Sequence, residues 1–512
     1  MTRKNKILSL AELKKALHQE KTKRKRIALC HGVFDLLHPG HIIHLQEARK
    51  LADCLVVTVT PDIYVRKGPG RPLFNEQLRL KTLAAMECVD YVALNQWPTA
   101  VETIKQLKPN VYVKGSDYAN PSDDLTGKIS EEQEAIHTVG GRIEFTDGEF
   151  FSSSSLINRF FSNFPEQTQK YLKSFRLRYS AGQIIDSLKR LNGVRVLVIG
   201  ESILDEYCYC MPLAKVPKDP IVATKFASEE SFAGGALANA NHIAGFCNQV
   251  TLITALGSNE EQYQFIKSKL SPNVRFQCVR TPDRPTIVKR RFLEPTLLTK
   301  MFEVQYLDDT PIMAKAENKI ESILKKELKR HDLVVVADFG HGLLTPRLRE
   351  VLQNSKKFLA INTQSNSANL GYNPITQYER ADYVCIDEPE LRMASRNRFD
   401  AVPSIALKLK QLLKANMFCV TRGGRDTFIF SGTSKKSEIS ETPVLATKLV
   451  DRTGAGDAFF AVTSPLVYQK APIDLIGFVG NCVGAMAVEI VCNREPVDPT
   501  SLYKFITHLL KH

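Results

Sequence analysis

Two short stretches concentrate the residue types that handle phosphate: His38-Pro39-Gly40-His41 near the start of the chain, and Asp451-Arg452-Thr453-Gly454-Ala455-Gly456-Asp457 near its end. In the first, Pro39 and Gly40 open a helical pattern, whose first-turn N–H groups and dipole attract anions. His38 and His41 are three apart and share a face there. Imidazole N–H groups so placed can donate to phosphate oxygens as negative charge builds up in a transition state. An incoming phosphate would attack an α-phosphorus in line, and pyrophosphate would leave with no covalent intermediate. In the second stretch, Gly454 and Gly456 let backbone N–H groups converge on a phosphoryl group in transfer. Asp457 then falls at a helix start, placed to take the proton of an attacking hydroxyl. That chemistry suits a γ-phosphate.

Each stretch needs a strand behind it and a helix in front. Apolar periodicity predicts helices at 8–20, His41–Ala52, Glu76–Met86 and Val101–Leu107. It predicts strands at Ile27–Cys30, Leu55–Thr60, Tyr91–Leu94, Val111–Lys114 and Ile143–Phe145. Around 161–192 the pattern changes: Phe164-Pro165-Glu166 and the charged stretch Lys170–Arg178 read as connector, and Ile184–Leu191 as a lead-in helix. A fresh alternation begins at Val194–Ile199, with further strands expected at Thr251–Thr254, Leu333–Val336, Phe358–Ile361, Tyr383–Ile386, Phe418–Thr421 and Thr427–Phe430. The expected fold class is α/β, with two doubly wound parallel-sheet domains at 1–160 and 193–512 joined by a connector at 161–192.

At 512 residues the chain exceeds one ordinary domain. The 43% hydrophobic content fills complete cores. No apolar run is long enough to span a bilayer, and no apolar signal region follows the basic N-terminus. The eleven cysteines are scattered, odd in number and without a CxxC pair, which reads as a reducing, cytoplasmic setting. A net charge of +14 fits either a nucleic-acid binder or an enzyme for polyanionic small molecules. The densest basic run, Lys21–Arg26, directly precedes the first strand and has no interleaved aromatics, so it reads as a solvated helix end.

The N-terminal motif, in its strand-to-helix setting, resembles the HxGH nucleotidyltransferase superfamily and its cytidylyltransferase-like branch. Lys67 and Arg71-Pro72 fall where that family places a basic phosphate contact, with Arg79 on the following helix. Val113-Lys114-Gly115-Ser116-Asp117-Tyr118 resembles its VKGxDY segment. Phe151-Ser152-Ser153-Ser154-Ser155-Leu156-Ile157 resembles its STTxII-type motif, with serines where the family usually has threonines. The resemblance implies catalytic His38 and His41, and nucleotide or phosphate contacts at Gly32, Phe34, Lys67, Arg71, Lys114, Ser153 and Ser154. His31 and His44 read as structural.

The C-terminal stretch has the DxxGAGDxF form and resembles the ribokinase-like sugar kinases. Leu204-Asp205-Glu206-Tyr207, Ala233-Gly234-Gly235-Ala236-Leu237-Ala238-Asn239, Asp387-Glu388-Pro389-Glu390 and Thr421-Arg422-Gly423-Gly424 match further family segments in order. The resemblance implies Asp457 as catalytic base and sugar contacts at Asp205, Gly234, Gly235 and Asn239. It implies nucleotide or phosphate contacts at Thr421, Gly423, Gly454, Ala455, Gly456 and Asn481, the last opening the helix that flanks an adenine. Glu390 and Asp387 would organise magnesium indirectly. Asp387 stands where the family has Asn, and His341 in Asp338-Phe339-Gly340-His341-Gly342 stands where it has Lys. Lys289-Arg290-Arg291 suits either a phosphate already on the sugar or a solvated edge strand. Residues 206–231 and 275–305 would build a small β lid, through which the family often dimerises.

Together the two halves are similar to the bifunctional heptose kinase/nucleotidyltransferases of bacterial envelope synthesis, with the domain order reversed. That resemblance implies ATP and Mg2+ for a kinase acting on the anomeric hydroxyl of a heptose 7-phosphate. It implies ATP, or alternatively CTP, as nucleotidyl donor to a sugar 1-phosphate. The expected partners are sugar phosphates and nucleotides, with a homodimer through the kinase domain, no membrane and no nucleic acid. Another sugar or polyol phosphate, activity in one domain alone, and a non-enzymatic nucleic-acid or regulatory protein stand as alternatives.

Overall fold

The computed structural model describes residues 5–65, 71–115, 128–146, 164–433 and 436–511. Contacts divide the chain into two units, residues 1–163 with 503–512 and residues 164–502. Each is organised by its own parallel sheet.

In the first unit, strands β1 (Ile27–Gly32), β2 (Cys54–Val59), β3 (Tyr91–Leu94), β4 (Val111–Gly115) and β5 (Arg142–Thr146) lie in the order β3-β2-β1-β4-β5. All neighbours are parallel. The apolar strands bury both faces under helices, as parallel sheets require. Ala28 and Cys30 pack with Leu45 and Ala48 of helix Pro39–Lys50, while Ile27 and Leu29 pack with Leu13 and Leu17 of helix Leu10–Thr22. The basic run ends that first helix: Lys21 Nζ donates to the carbonyls of Leu107 and Lys108, and Lys23 and Lys25 pair with Glu20. Strand order reverses between β1 and β4, so their carboxyl ends border the crevice where open α/β sheets bind ligands. Helix Lys128–Thr138 escaped sequence reasoning because its start adjoins a polar, glycine-containing stretch.

The second unit has a nine-stranded sheet. Its strands are β6 (Arg195–Gly200), β9 (Gln249–Leu256), β10 (Val274–Arg280), β13 (Leu333–Asp338), β14 (Phe358–Thr363), β15 (Tyr383–Asp387), β16 (Met417–Thr421), β17 (Asp426–Thr433) and β18 (Lys436–Pro443), in the order β10-β9-β6-β13-β14-β15-β16-β17-β18. It is parallel from β10 to β16, and β17 and β18 add antiparallel. A separate sheet of β7 (Ser202–Lys215), β8 (Val222–Gly235), β11 (Ile287–Glu294) and β12 (Thr299–Tyr306), ordered β12-β11-β7-β8, forms the lid. The lid expectation needs correcting at both ends. Its first hairpin runs from Ser202 to Gly235, and Val274–Arg280 instead pairs along its length with β9 in the large sheet.

The segment expected as connector is helical. Helices Glu166–Arg176 and Ala181–Lys189 fold within the second unit, the latter started by a Ser180–Gln183 capping box. Phe175 is fully buried and stacks on Phe478, and Arg178 and Tyr179 both donate to Asp474. The charge that suggested a linker is the wet face of an amphipathic helix.

Candidate functional site

In the first unit, β1 ends at Gly32 and the chain reaches the helix at Pro39 through residues 33–38. His38 is the N-cap in extended backbone, so its side chain sits beside the helix start. The rings of His38 and His41 lie 4.0 Å apart, and Phe34 packs against His41 at 5.6 Å. His38 is buried, which lowers its pKa and favours the neutral imidazole, and its Nδ1 has no hydrogen-bond partner among the described residues.

Two arginines hold the 33–38 loop that leads to this helix, one at Val33 and one at Asp35. Arg79, fully buried, donates to the carbonyls of Phe74, Val33 and Thr60 and to Asp62, tying three chain segments together. Arg71 is buried beside Asp35, with Nε 3.0 Å from Oδ2 but without hydrogen-bond alignment. Its two terminal nitrogens have no hydrogen-bond partner among the described residues. Lys114 is placed differently from a lone phosphate contact: its Nζ pairs at 2.9 Å with Glu132, which also accepts from Tyr112 and from the N–H of Ala100. His31 bonds Thr58 and Thr60, and His44 bonds Thr146. Burial pushes both histidines down to about 4, in keeping with structural roles. Lys67, Ser153 and Ser154 lie outside the described residues, as do Ser116, Asp117 and Tyr118 and the whole serine motif.

In the second unit, a cleft of about 310 Å³ opens at the carboxyl ends of the parallel strands. Asp205, Gly235, Asp387, Glu390, Thr421, Gly454, Gly456 and Asp457 all line it. Gly454 is the N-cap of helix Ala455–Tyr468, with φ +83°, and a Cβ there would lie 2.1 Å from Asn493 Oδ1. Only glycine fits that turn. Asp457 follows in the first helical turn and is buried. Burial raises its pKa to about 7; Asn239 and Lys289 act against that rise, and Asp205 adds to it.

Other residues stand behind the lining. Gly234 leaves room for the Asp205 carboxylate, since a Cβ would meet Oδ2 at 2.0 Å. Asn239, with no exposed surface, donates to Asp457 Oδ1 at 3.2 Å and to the Gly235 carbonyl. Arg291 pairs with Asp205 at 2.5 Å and with Glu303, whereas Arg290, on the opposite face of β11, pairs with Glu206. Lys289, on the same face as Arg291, is buried and lines the cleft, and desolvation lowers its pKa. His341 is buried and pushed down to about 3 by desolvation and by Lys289 and Arg284, so it carries no charge in place of a lysine.

Asp387 and Glu390 form a reciprocal cap: Glu390 N–H donates to Asp387, and Asp387 N–H donates to Glu390. Glu390 also accepts from Ser365 N–H. Burial and the neighbouring Asp387 raise Glu390 to about 8. Among the described residues no cluster of three metal-ligating side chains occurs. Two nucleotide-side expectations are displaced. Asn481 lies midway along helix Ile473–Ala487, not at its start, and its amide is spent on Gly477 and Thr427. Gly423 occupies the turn after β16, outside the cleft lining. Sequence reasoning missed Gln364, Asn362 and Ser365, which line the cleft just at the end of β14. Their position at a parallel strand's carboxyl end was the available signal.

The family described as "pfkB family carbohydrate kinase" matches residues 195–494, and the family described as "Cytidylyltransferase-like" matches residues 29–159. The relatives named Bifunctional protein HldE align with the N-terminal part of this chain. The "Bifunctional protein HldE" of Pelobacter propionicus is 41% identical over 148 residues, 28% of each chain. That of Trichlorobacter lovleyi is 36% identical over 168 residues, 32% of each. The alignments thus span under a third of those relatives. Among solved structures, phosphofructokinase-2 from Escherichia coli with substrates and products covers 61% of this chain and 99% of its own, at 12% identity and a TM-score of 0.49. Arabidopsis thaliana ribokinase with ribose and ATP covers 62% and 99%, at 15% identity and a TM-score of 0.46. No helix among the described residues is long and apolar enough to cross a membrane.

Proposed function

Because this chain belongs to the pfkB family of carbohydrate kinases, we propose that its second unit phosphorylates a sugar with ATP and its first unit transfers a nucleotidyl group to a sugar phosphate. The observation that carries the kinase reading is Asp457: a buried carboxylate with a pKa near 7, at the mouth of a glycine-bordered helix N-terminus, in a cleft at the strand ends. Asp457 takes the proton of the sugar hydroxyl as its oxygen attacks the γ-phosphorus, and ADP leaves. First-turn N–H groups after Gly454 receive the negative charge of the transferring group. Asp205 binds sugar hydroxyls, with Arg291 holding its carboxylate in place. Lys289 supplies the cleft with the positive charge that His341 does not, and suits a phosphate already on the acceptor.

Glu390 fits a cation held chiefly by the nucleotide. Each of its oxygens accepts one N–H and keeps lone pairs for a metal-bound water. Mg2+ bound there would neutralise phosphate charge during transfer.

In the first unit, the sugar phosphate oxygen attacks the α-phosphorus of the nucleotide and pyrophosphate departs. His38 and His41 donate N–H groups to phosphate oxygens, and Arg71 contributes fixed positive charge from its buried, incompletely bonded guanidinium. The preferred substrates are a heptose 7-phosphate, phosphorylated at the anomeric hydroxyl, and a heptose 1-phosphate receiving an adenylyl group for envelope polysaccharide. The name of the N-terminal relatives supports this reading. A phosphatase must act between the two steps. The cytidylyltransferase-like match favours a second reading, in which CTP activates another sugar or polyol phosphate. A screen of sugar phosphates against ATP and CTP, with products identified by mass spectrometry, separates the two. ADP-heptose formation supports the first, CDP-linked products support the second, and no ADP from any sugar would overturn the kinase.

The exposed outer face of the lid, with Phe302, Val304 and Tyr306 in a row on β12, supports a homodimer through that sheet.

A further inference from the structure

We infer that Gln364 is a positioning residue for phosphoryl transfer, its side-chain amide holding Asp457 while the adjoining Ser365 N–H holds Glu390. The inference rests on the kinase reading of the cleft. Gln364 Nε2 donates to Asp457 Oδ1 at 3.1 Å, and Asn239 Nδ2, from helix Ala236–Ala244, reaches the same oxygen at 3.2 Å. Two amides on one oxygen fix the carboxylate's rotation and leave Oδ2 without a protein donor among the described residues. A base in that state presents one oxygen, in one direction, to a substrate hydroxyl.

Gln364 is itself held. Its N–H donates to the Asp338 carbonyl of β13, and its carbonyl accepts from Asn373. One residue on, Ser365 N–H donates to Glu390 at 3.0 Å. Two consecutive residues leaving β14 therefore grip the two carboxylates that the reaction needs, and so set their spacing. The charged groups that line the cleft with Asp457 are Asp205, Lys289 and Arg291 from the lid, Asp387 at the end of β15, Glu390 just beyond it, and Arg452 of the glycine loop. Helix Ala236–Ala244 presents the neutral Asn239.

The test uses the full chain with 13C-labelled aspartate carboxyls. The Asp457 resonance is identified by its loss in Asp457→Asn, and its titration midpoint is read in wild type, Gln364→Met and Gln364→Glu. Removing the donor in Gln364→Met raises the midpoint by about one unit, since the ionised form loses a charge-assisted hydrogen bond. Gln364→Glu raises it further through like charge. In ADP-release assays with the sugar phosphate identified by the screen, Gln364→Met lowers kcat about tenfold with KM for sugar and ATP unchanged within about twofold. An unmoved midpoint, or a raised sugar KM at wild-type kcat, overturns the inference. Absence of ADP release by the wild type would instead remove the kinase reading, while the midpoint still decides whether Gln364 holds Asp457.

Discussion

Asp457 illustrates how a buried carboxylate, here in the proposed role of base, costs stability. Burial raises its pKa from 3.8 to about 7, so the folded chain retains a proton that the unfolded chain releases. Its contribution to stability is full in acid and is lost as pH rises through the folded value. Thermal unfolding should therefore show Asp457→Asn more stable than wild type at about pH 8 and equal to it at about pH 4, with a gain of up to a few kcal/mol. In the proposed mechanism the same ionisation acts on activity in the opposite sense, because only the carboxylate accepts a proton. For the wild type, kcat/KM for ADP release should rise with pH to a plateau above about 7.

At the scale of elements, one aspartate joins the lid to the glycine loop. Asp451 accepts from Lys300 of β12 at 2.8 Å and from Tyr207 of β7 at 2.5 Å, and Lys300 also reaches Thr453. Asp451 further accepts from the N–H of Thr453 and of Cys492. Lid and glycine turn are thus one bonded network. Lys300→Met removes the lysine latch and keeps its aliphatic stem. Hydrogen exchange should quicken in β7, β8, β11 and β12, with kinase kcat reduced about tenfold and pyrophosphate release unchanged. Arg79 has the comparable role in the first unit, where one guanidinium satisfies three carbonyls. Arg79→Met leaves them buried and unpaired, so urea unfolding should report a loss of about 3 kcal/mol in that unit, together with loss of nucleotidyl transfer.

At the scale of the whole molecule, two sheets with separate cores carry two strand-to-helix junctions, and the chemistry proposed at each uses no residue of the other. Asp457→Asn should abolish ADP release and spare pyrophosphate release, and His41→Ala should do the reverse; loss of both in either variant would contradict independent sites. If the proposed dimer forms through the lid, Phe302→Asp places a charge on that face, and light scattering should show a dimer for the wild type and a monomer for the variant. The sequence by itself determined the parallel alternation, both junctions and the carboxylate and imidazole pairs beside them, because apolar period, glycine turns and helix starts are local properties. It misread helix Glu166–Arg176 as linker, since its charged face masked the buried Phe175. Only the tertiary structure decided which side chains meet: that Lys114 is paired with Glu132, that Asn481 is turned to its own helix, and that Gln364 and Lys300 reach Asp457 and Asp451. Gln364–Asp457 and Lys300–Asp451 join residues 93 and 151 positions apart, while the Lys114 and Asn481 contacts depend on which face a helix buries, and nothing in local spacing encodes either.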